Sequence, residues 1–127
     1  SLAERLDGVR RLLAAGGQGE LRDALAAARE LADANPSSRE AQHLAAEAAY
    51  RSARWQDAAV YFKRGGEPGD ARPELLFYYA VALYESGERS AAATALERSL
   101  PNLERTPYVD SYARRILGAR SSGAGGR

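Results

Sequence analysis

Apolar residues recur along the chain at the spacing of an α-helix. From Leu21 to Ala32 they follow the i, i+3, i+4, i+7 pattern that places them in one stripe along a helix. The same stripe returns from Trp55 to Phe62 and from Ala92 to Leu100. No stretch alternates apolar and polar positions as a strand would, and only four valines and one isoleucine occur. The pattern predicts an all-α fold of about seven helices.

Glycine and proline mark the ends of these helices. The glycine-rich segment 16–19 predicts a turn between helices, because it lacks the preceding strand and the following Gly-Lys-Ser or Gly-Lys-Thr of a phosphate-binding loop. Gly65 and Gly66 predict a helix end and a loop over 65–72, with at least one of the two at positive φ. Residues 107–119 predict a seventh helix, and 120–127 a flexible tail.

Two of the helix starts carry capping signals. Ser37 is followed three residues later by Glu40, which is the spacing of a capping box. Thr106 precedes Pro107, so a capping hydroxyl comes directly before a proline at the first helical position. We therefore expect Ser37 and Thr106 to be N-cap residues.

The apolar stripes repeat at a constant offset. Leu21, Trp55 and Arg89 are 34 residues apart, and so are Ala24, Ala58 and Ala92. A unit of this length, made of two antiparallel helices, is the period of the tetratricopeptide repeat. The chain resembles that family over residues 5–106, in the three repeats 5–38, 39–72 and 73–106. The first repeat departs most from the family pattern, with Gly8 and Arg11 where bulky apolar residues are preferred.

The resemblance implies a right-handed α–α superhelix, a solenoid of three repeats within one domain spanning 1–119. A solenoid needs an end helix, because its last repeat otherwise leaves an apolar face in water. In the seventh helix we expect that role for Tyr108, Val109, Tyr112, Ala113 and Ile116.

In the family, the first helix of each repeat lines a concave groove that binds a protein or peptide. By resemblance, the second repeat contributes Glu40, His43, Glu47, Tyr50 and Arg51. The third repeat contributes Glu74, Phe77, Val81, Tyr84 and Glu85. The first repeat contributes Leu6, Val9, Leu13, Gly16 and Gly17.

This surface would have an apolar and aromatic floor with an acidic rim, which suits an apolar segment flanked by Arg or Lys. Its expected anchors are Tyr50, Phe77 and Tyr84, because aromatic residues dominate binding hot spots. The alternative is that the end helix or a neighbouring segment covers part of the floor. Family members that clamp a peptide carboxylate use cationic and amide side chains, and the matching places hold none here: Val9, Leu13, Leu44, Glu74 and Tyr78.

Composition excludes several classes of function. The 127 residues include 18 basic and 17 acidic ones, so the net charge of +1 does not favour a nucleic-acid partner. There is no cysteine for a disulfide, a thiolate metal site or a nucleophile. No apolar run approaches the roughly 20 residues of a membrane span. No targeting segment is apparent, which leaves a cytoplasmic and a periplasmic location open, and the excess of arginine over lysine is typical of a GC-rich bacterial genome.

The single histidine, His43, has no ligand set around it for zinc and no nucleophile to activate. We expect it on the surface or in the groove. The sequence thus predicts no catalytic residue, no metal and no cofactor, and a non-catalytic protein–protein interaction module. The alternative is a self-association module that forms a homodimer through the same apolar surface.

Overall fold

The computed structural model describes residues 1–125, with side chains described up to residue 119, and this part of the chain contains helices and no strand. The predicted all-α fold of about seven helices is confirmed. The α-helices are α1 (Leu2–Ala15), α2 (Gln18–Ala34), α3 (Arg39–Arg51), α4 (Trp55–Gly65), α5 (Pro73–Glu85), α6 (Arg89–Ser99) and α7 (Pro107–Gly125), with a 3₁₀ turn over Leu100–Asn102. They form two compact units, unit 1 (Ser1–Gly66) and unit 2 (Glu67–Arg127).

Unit 1 is a series of helices in which each packs against the next, and α1 also contacts α3. The predicted apolar stripe of α2 is its buried face, which includes Ala24, Ala28 and Leu31. In α1 the buried residues are Leu6, Val9 and Leu13. These three were predicted to line the groove, and they belong to the interior instead.

A buried glutamine ties α3 to the end of α2. The side-chain amide of Gln42 is fully buried, and its Nε2 donates hydrogen bonds to the carbonyl oxygens of Ala32 at 2.8 Å and Asn35 at 3.1 Å. Both acceptors lie where a helix leaves its last carbonyls without partners inside the helix. Both carbonyls also accept a backbone N–H, from Asn35 and Ser38, so the Gln42 side chain is a second donor to each.

The hairpins α3–α4 and α5–α6 have equal dimensions. Both first helices contain 13 residues and both second helices contain 11. The offset from α3 to α5 and from α4 to α6 is 34 residues in each case, as the stripes predict. The first hairpin does not keep this spacing, because α1 and α2 begin 37 residues before α3 and α4.

The turns within the two matching hairpins have the same hydrogen bonds. In each turn one residue is at positive φ, Ala53 at 56° and Gly87 at 87°. The next N–H donates to a carbonyl five residues earlier at 2.9 Å, from Arg54 to Ala49 and from Glu88 to Leu83. Each turn is thus a Schellman motif, which reverses the chain after the first helix.

Two further helix ends match the glycine signals. Gly16 ends α1 in the left-handed conformation at φ 72° and Gly17 precedes α2, so segment 16–19 contains the predicted turn. The helix α4 ends at Gly65 and its C-cap Gly66 has φ 85°. The predicted helix end and the positive φ of one of the two glycines are confirmed, and the loop begins at Gly66, one residue later than predicted.

One of the two predicted caps is wrong by one residue. The N-cap of α3 is Ser38, whose Oγ accepts a hydrogen bond from the Ala41 N–H at 3.1 Å, and Ser37 lies in the preceding turn. The predicted cap of α7 is confirmed, because the Val109 N–H donates to Thr106 Oγ1 at 3.2 Å.

In unit 2, α7 packs against both α6 and α5. Four of the five residues predicted to cover the preceding helices are buried, and Tyr108 is 52% exposed. The helix also continues past the predicted boundary at 119, to Gly125. The predicted tail 120–127 therefore begins within α7, and its last residues, 126 and 127, lie outside the described residues.

The two matched turns predict that glycine is more stable than alanine at the residue with positive φ. A non-glycine residue in the left-handed conformation costs about 1–2 kcal/mol, partly offset by the lower entropy of its unfolded chain. We expect Ala53→Gly to raise the free energy of unfolding by about 0.5–1 kcal/mol, and Gly87→Ala to lower it by a similar amount. Urea denaturation measures both.

The control for this pair is Ala26→Gly, at an exposed position within α2. It should lower the free energy of unfolding by about 1 kcal/mol, since glycine is unfavourable inside a helix. A loss of stability in Ala53→Gly equal to that of the control would contradict the proposed strain at Ala53.

Candidate functional site

The five candidate residues of unit 1 divide into exposed and buried side chains. Glu40 and Arg51 are exposed, and Glu47 is half-buried. His43 and Tyr50 are each only 7% exposed. The Tyr50 ring packs edge-on against Trp55, with the ring centroids 5.5 Å apart. Tyr50 is thus part of the interior beside the α3–α4 turn.

Glu40 is engaged with α1. Its Oε2 lies 2.7 Å from Nη2 of Arg10, whose Nη1 is 2.6 Å from Oδ1 of Asp7. The hydrogen bond from Arg10 to Glu40, helped by Asp7, raises the pKa of the guanidinium above its ordinary value. All three groups are largely exposed, so each pair is worth no more than about 1 kcal/mol.

His43 fastens the end of α4 to α3. Its Nε2 is 2.6 Å from the carbonyl oxygen of Gly66. Because a carbonyl only accepts, Nε2 carries the proton in this contact. The ring also lies 5.9 Å from that of Phe62, which is fully buried. The expected surface or groove position of His43 is therefore wrong, since the early end of α4 leaves a carbonyl that the imidazole satisfies.

The five candidate residues of unit 2 are divided in the same way. Glu74 and Glu85 are exposed and Tyr84 is half-buried. Phe77 is 2% exposed and Val81 is fully buried. Phe77 and Val81, which lie between the other three along α5, are therefore not accessible.

Aromatic residues of α7 lie against Phe77. The ring of Phe77 is 6.1 Å from Tyr108 and 6.4 Å from Tyr112, and Tyr112 is also 6.4 Å from Tyr84. All three contacts are edge-to-face, an arrangement that stabilises aromatic pairs. The end helix thus lies against part of the expected floor, which is the alternative that the sequence left open.

We call the exposed side of this cluster the α5–α7 face, formed by Glu74, Tyr84, Glu85, Tyr108 and Arg115. Tyr108 is its most exposed aromatic side chain, at 52%. The guanidinium carbon of Arg115 lies 4.0 Å from the centroid of the Tyr112 ring, a cation–π contact. Tyr108 was expected to lie against the preceding helices, and its exposure was not predicted. The spacing of 108, 112 and 115 along one helix face was the available signal.

The buried Tyr112, whose ring contacts those of Tyr84 and Tyr108, has a perturbed pKa. Its hydroxyl donates a hydrogen bond to Glu85 Oε2 at 2.7 Å. Burial and then the Glu85 carboxylate raise the pKa of Tyr112 to about 12. In unit 1, burial and a hydrogen bond to Asp33 raise the pKa of Tyr61 above its ordinary value.

Among the described residues, no group of three or more His, Asp or Glu side chains is placed to hold a metal ion. In the same part of the chain, no helix is long and apolar enough to cross a membrane.

Comparisons with protein-family models, with curated proteins and with solved structures gave no match.

The contact between His43 and the end of α4 predicts a strict need for glycine at position 65. A Cβ there would lie 2.7 Å from His43 Cδ2 and 3.0 Å from Gln42 Cβ. We expect Gly65→Ala to lower the free energy of unfolding by about 1–3 kcal/mol, the usual cost of overpacking. Trp55 fluorescence during urea denaturation reports on this unit.

The matched control is Gly19→Ala in α2, where nothing lies within 4 Å of the added Cβ. This change should leave the stability unchanged or raise it by up to about 1 kcal/mol, because alanine favours helix. Equal effects of the two substitutions would show that His43 and Gln42 do not restrict position 65.

The raised pKa of Tyr112 predicts a stability change at alkaline pH. Since the folded pKa of about 12 exceeds the ordinary value near 10, the fold favours the neutral phenol. Its contribution is complete below pH 10 and is lost as the pH rises through 12. Tyrosinate absorbance should show a late titration that disappears in Tyr112→Phe.

Glu85→Gln removes the facing charge, so this late titration should move to lower pH while staying above the ordinary value because burial remains. Asp33→Asn, near Tyr61, is the control and should leave the Tyr112 titration in place. An unchanged Tyr112 titration in Glu85→Gln would contradict the role of the carboxylate.

Proposed function

We propose that the chain is a non-catalytic protein-interaction module similar to tetratricopeptide repeats. The observation that carries this proposal is the repetition of the α3–α4 and α5–α6 hairpins at 34 residues with the same turn hydrogen bonds. A repeated hairpin that an end helix covers is typical of domains whose role is to present a surface.

The surface proposed for binding is the α5–α7 face. Glu74 and Glu85 are 11 residues apart on α5, which places them on the same side of the helix, about three turns apart. Tyr84 and Tyr108 offer partly exposed aromatic rings near this acidic pair. Aromatic side chains with an apolar body and a polar tip are favoured contacts at protein interfaces.

The charge of this face favours a partner segment with apolar residues flanked by Arg or Lys. By the same resemblance, Glu40 and Glu47 of α3 would have the equivalent role in unit 1. Exposed carboxylates such as those of Glu74 and Glu85 mainly raise the association rate, and their effect fades with salt. Of the three expected anchors for a partner segment, Tyr84 is the one we propose, because Phe77 and Tyr50 are buried.

Selection of binding peptides from a random display library tests this proposal. We expect enrichment of apolar segments with flanking basic residues, and loss of their binding by at least about tenfold in the double variant Glu74→Lys/Glu85→Lys. The control Asp23→Lys/Glu104→Lys makes the same change in net charge at exposed positions elsewhere. It should bind the selected peptides as the wild type does.

Peptides that bind both double variants equally would contradict the proposed surface, provided that thermal melts show both variants folded. Light scattering addresses the alternative function. A concentration-dependent dimer that Glu74→Lys/Glu85→Lys abolishes would favour self-association over recognition of another protein.

A further inference from the structure

Unit 1 contains a cavity of about 540 Å³ that, apart from Arg51, is lined by residues not predicted to bind a partner. It lies between the N-terminal half of α2 and the α3–α4 turn. Its apolar lining comes from Leu21 and Leu25, and its cationic lining from Arg22, Arg51 and Arg54. The volume is within the range of small-ligand pockets, which is roughly 300–1,000 Å³.

The lining carries three positive charges and no acidic side chain. Within the described part of the chain, none of these three arginines forms an ion pair, whereas Arg10 and Arg98 each contact two carboxylates. The whole chain has a net charge of only +1, so this end of unit 1 is a local concentration of positive charge. Such a pocket attracts anions.

Arg51 is held in place before any ligand binds. Its Nη1 donates a hydrogen bond to the carbonyl oxygen of Leu13 at 2.7 Å, near the C-terminal end of α1. Its Nη2 lies 3.2 Å from the position that a Cβ would have at Gly16. The guanidinium fork retains other N–H donors, and its fixed position lowers the entropy cost of binding.

The N-terminal end of α2 adds to the positive potential. Gln18 is the first residue of α2 and lines the cavity, and the N-cap Gly17 supplies no side chain to the free N–H groups. These groups carry a partial positive charge. The Glu20 carboxylate lies over Gly17 and offsets part of that charge, but Glu20 does not line the cavity.

We propose that this cavity binds a phosphate monoester, with the dianion on the arginines and an apolar group on Leu21 and Leu25. Guanidinium groups pair with phosphate through parallel hydrogen bonds, and three cations match a charge near −2 better than that of a single carboxylate. The volume greatly exceeds that of a bare phosphate, so an attached organic group is needed to fill it. The proposal does not depend on the α5–α7 face, which favours partners of the opposite charge.

The test is a titration of the ¹⁵N-labelled wild-type chain with phenyl phosphate, followed by NMR. We expect saturable shifts in the amides of 17–25 and 51–55 and in the Nε–H signals of Arg22, Arg51 and Arg54. Inorganic phosphate should bind at the same place but more weakly, because it does not reach the leucines. A phosphotyrosine peptide and its unphosphorylated form then show whether the ester can come from a protein.

Two double variants provide the matched comparison. Arg22→Gln/Arg54→Gln should weaken phenyl phosphate binding by at least about tenfold, since two charge-assisted contacts are lost. Neither arginine side chain forms a hydrogen bond within the described part of the chain, and the backbone bonds of Arg54 remain in the variant, so we expect both variants to fold. The control Arg11→Gln/Arg89→Gln removes the same charge at exposed positions outside the cavity and should bind as the wild type does.

Several results would overturn the proposal. One is the absence of saturable shifts in the wild type, which requires no variant to fold. Another is equal affinity of the two double variants. Binding of benzoate as tightly as phenyl phosphate would assign the cavity to carboxylates and not to phosphate esters.

Discussion

The reversal of the chain within each matching hairpin depends on one residue held at positive φ. Ala53 and Gly87 occupy this position, and the hydrogen bonds that follow fix where the second helix starts. Because both turns close in the same way, α4 and α6 begin at the same distance from their partner helices.

Polar side chains inside unit 1 determine how its helices are joined. Gln42 and His43 are adjacent on α3, yet they bind opposite neighbours, the end of α2 and the end of α4. His43 binds the carbonyl oxygen of the C-cap of α4, and Gln42 gives a second donor to two carbonyls at the end of α2 that also accept backbone N–H groups. A buried polar group that is removed leaves its partner unsatisfied, which costs about 1–3 kcal/mol. These residues are therefore needed for the scaffold and are not free to recognise a ligand.

The helices were predictable because the spacing of apolar residues and the positions of glycine and proline are local properties of the sequence. The end of α4 at Gly65 was predictable because the next residue, Gly66, is a glycine that adopts positive φ without strain. The burial of Phe77 was not predictable, since a stripe of apolar residues has the same period whether a partner protein or α7 covers it. The arginine-lined cavity was missed because Arg22 is far in sequence from Arg51 and Arg54, and only the packing of α2 on α3 brings them together.

Trp55, which packs against Tyr50, lies in unit 1, and this gives the two units different optical signatures. The single tryptophan of the chain belongs to unit 1, whereas five of the seven tyrosines belong to unit 2. Selective excitation of indole therefore reports on one unit, and the ultraviolet absorbance of phenol is weighted toward the other. A single denaturation experiment read at both signals distinguishes concerted unfolding of the chain from stepwise unfolding, without any label or inserted probe.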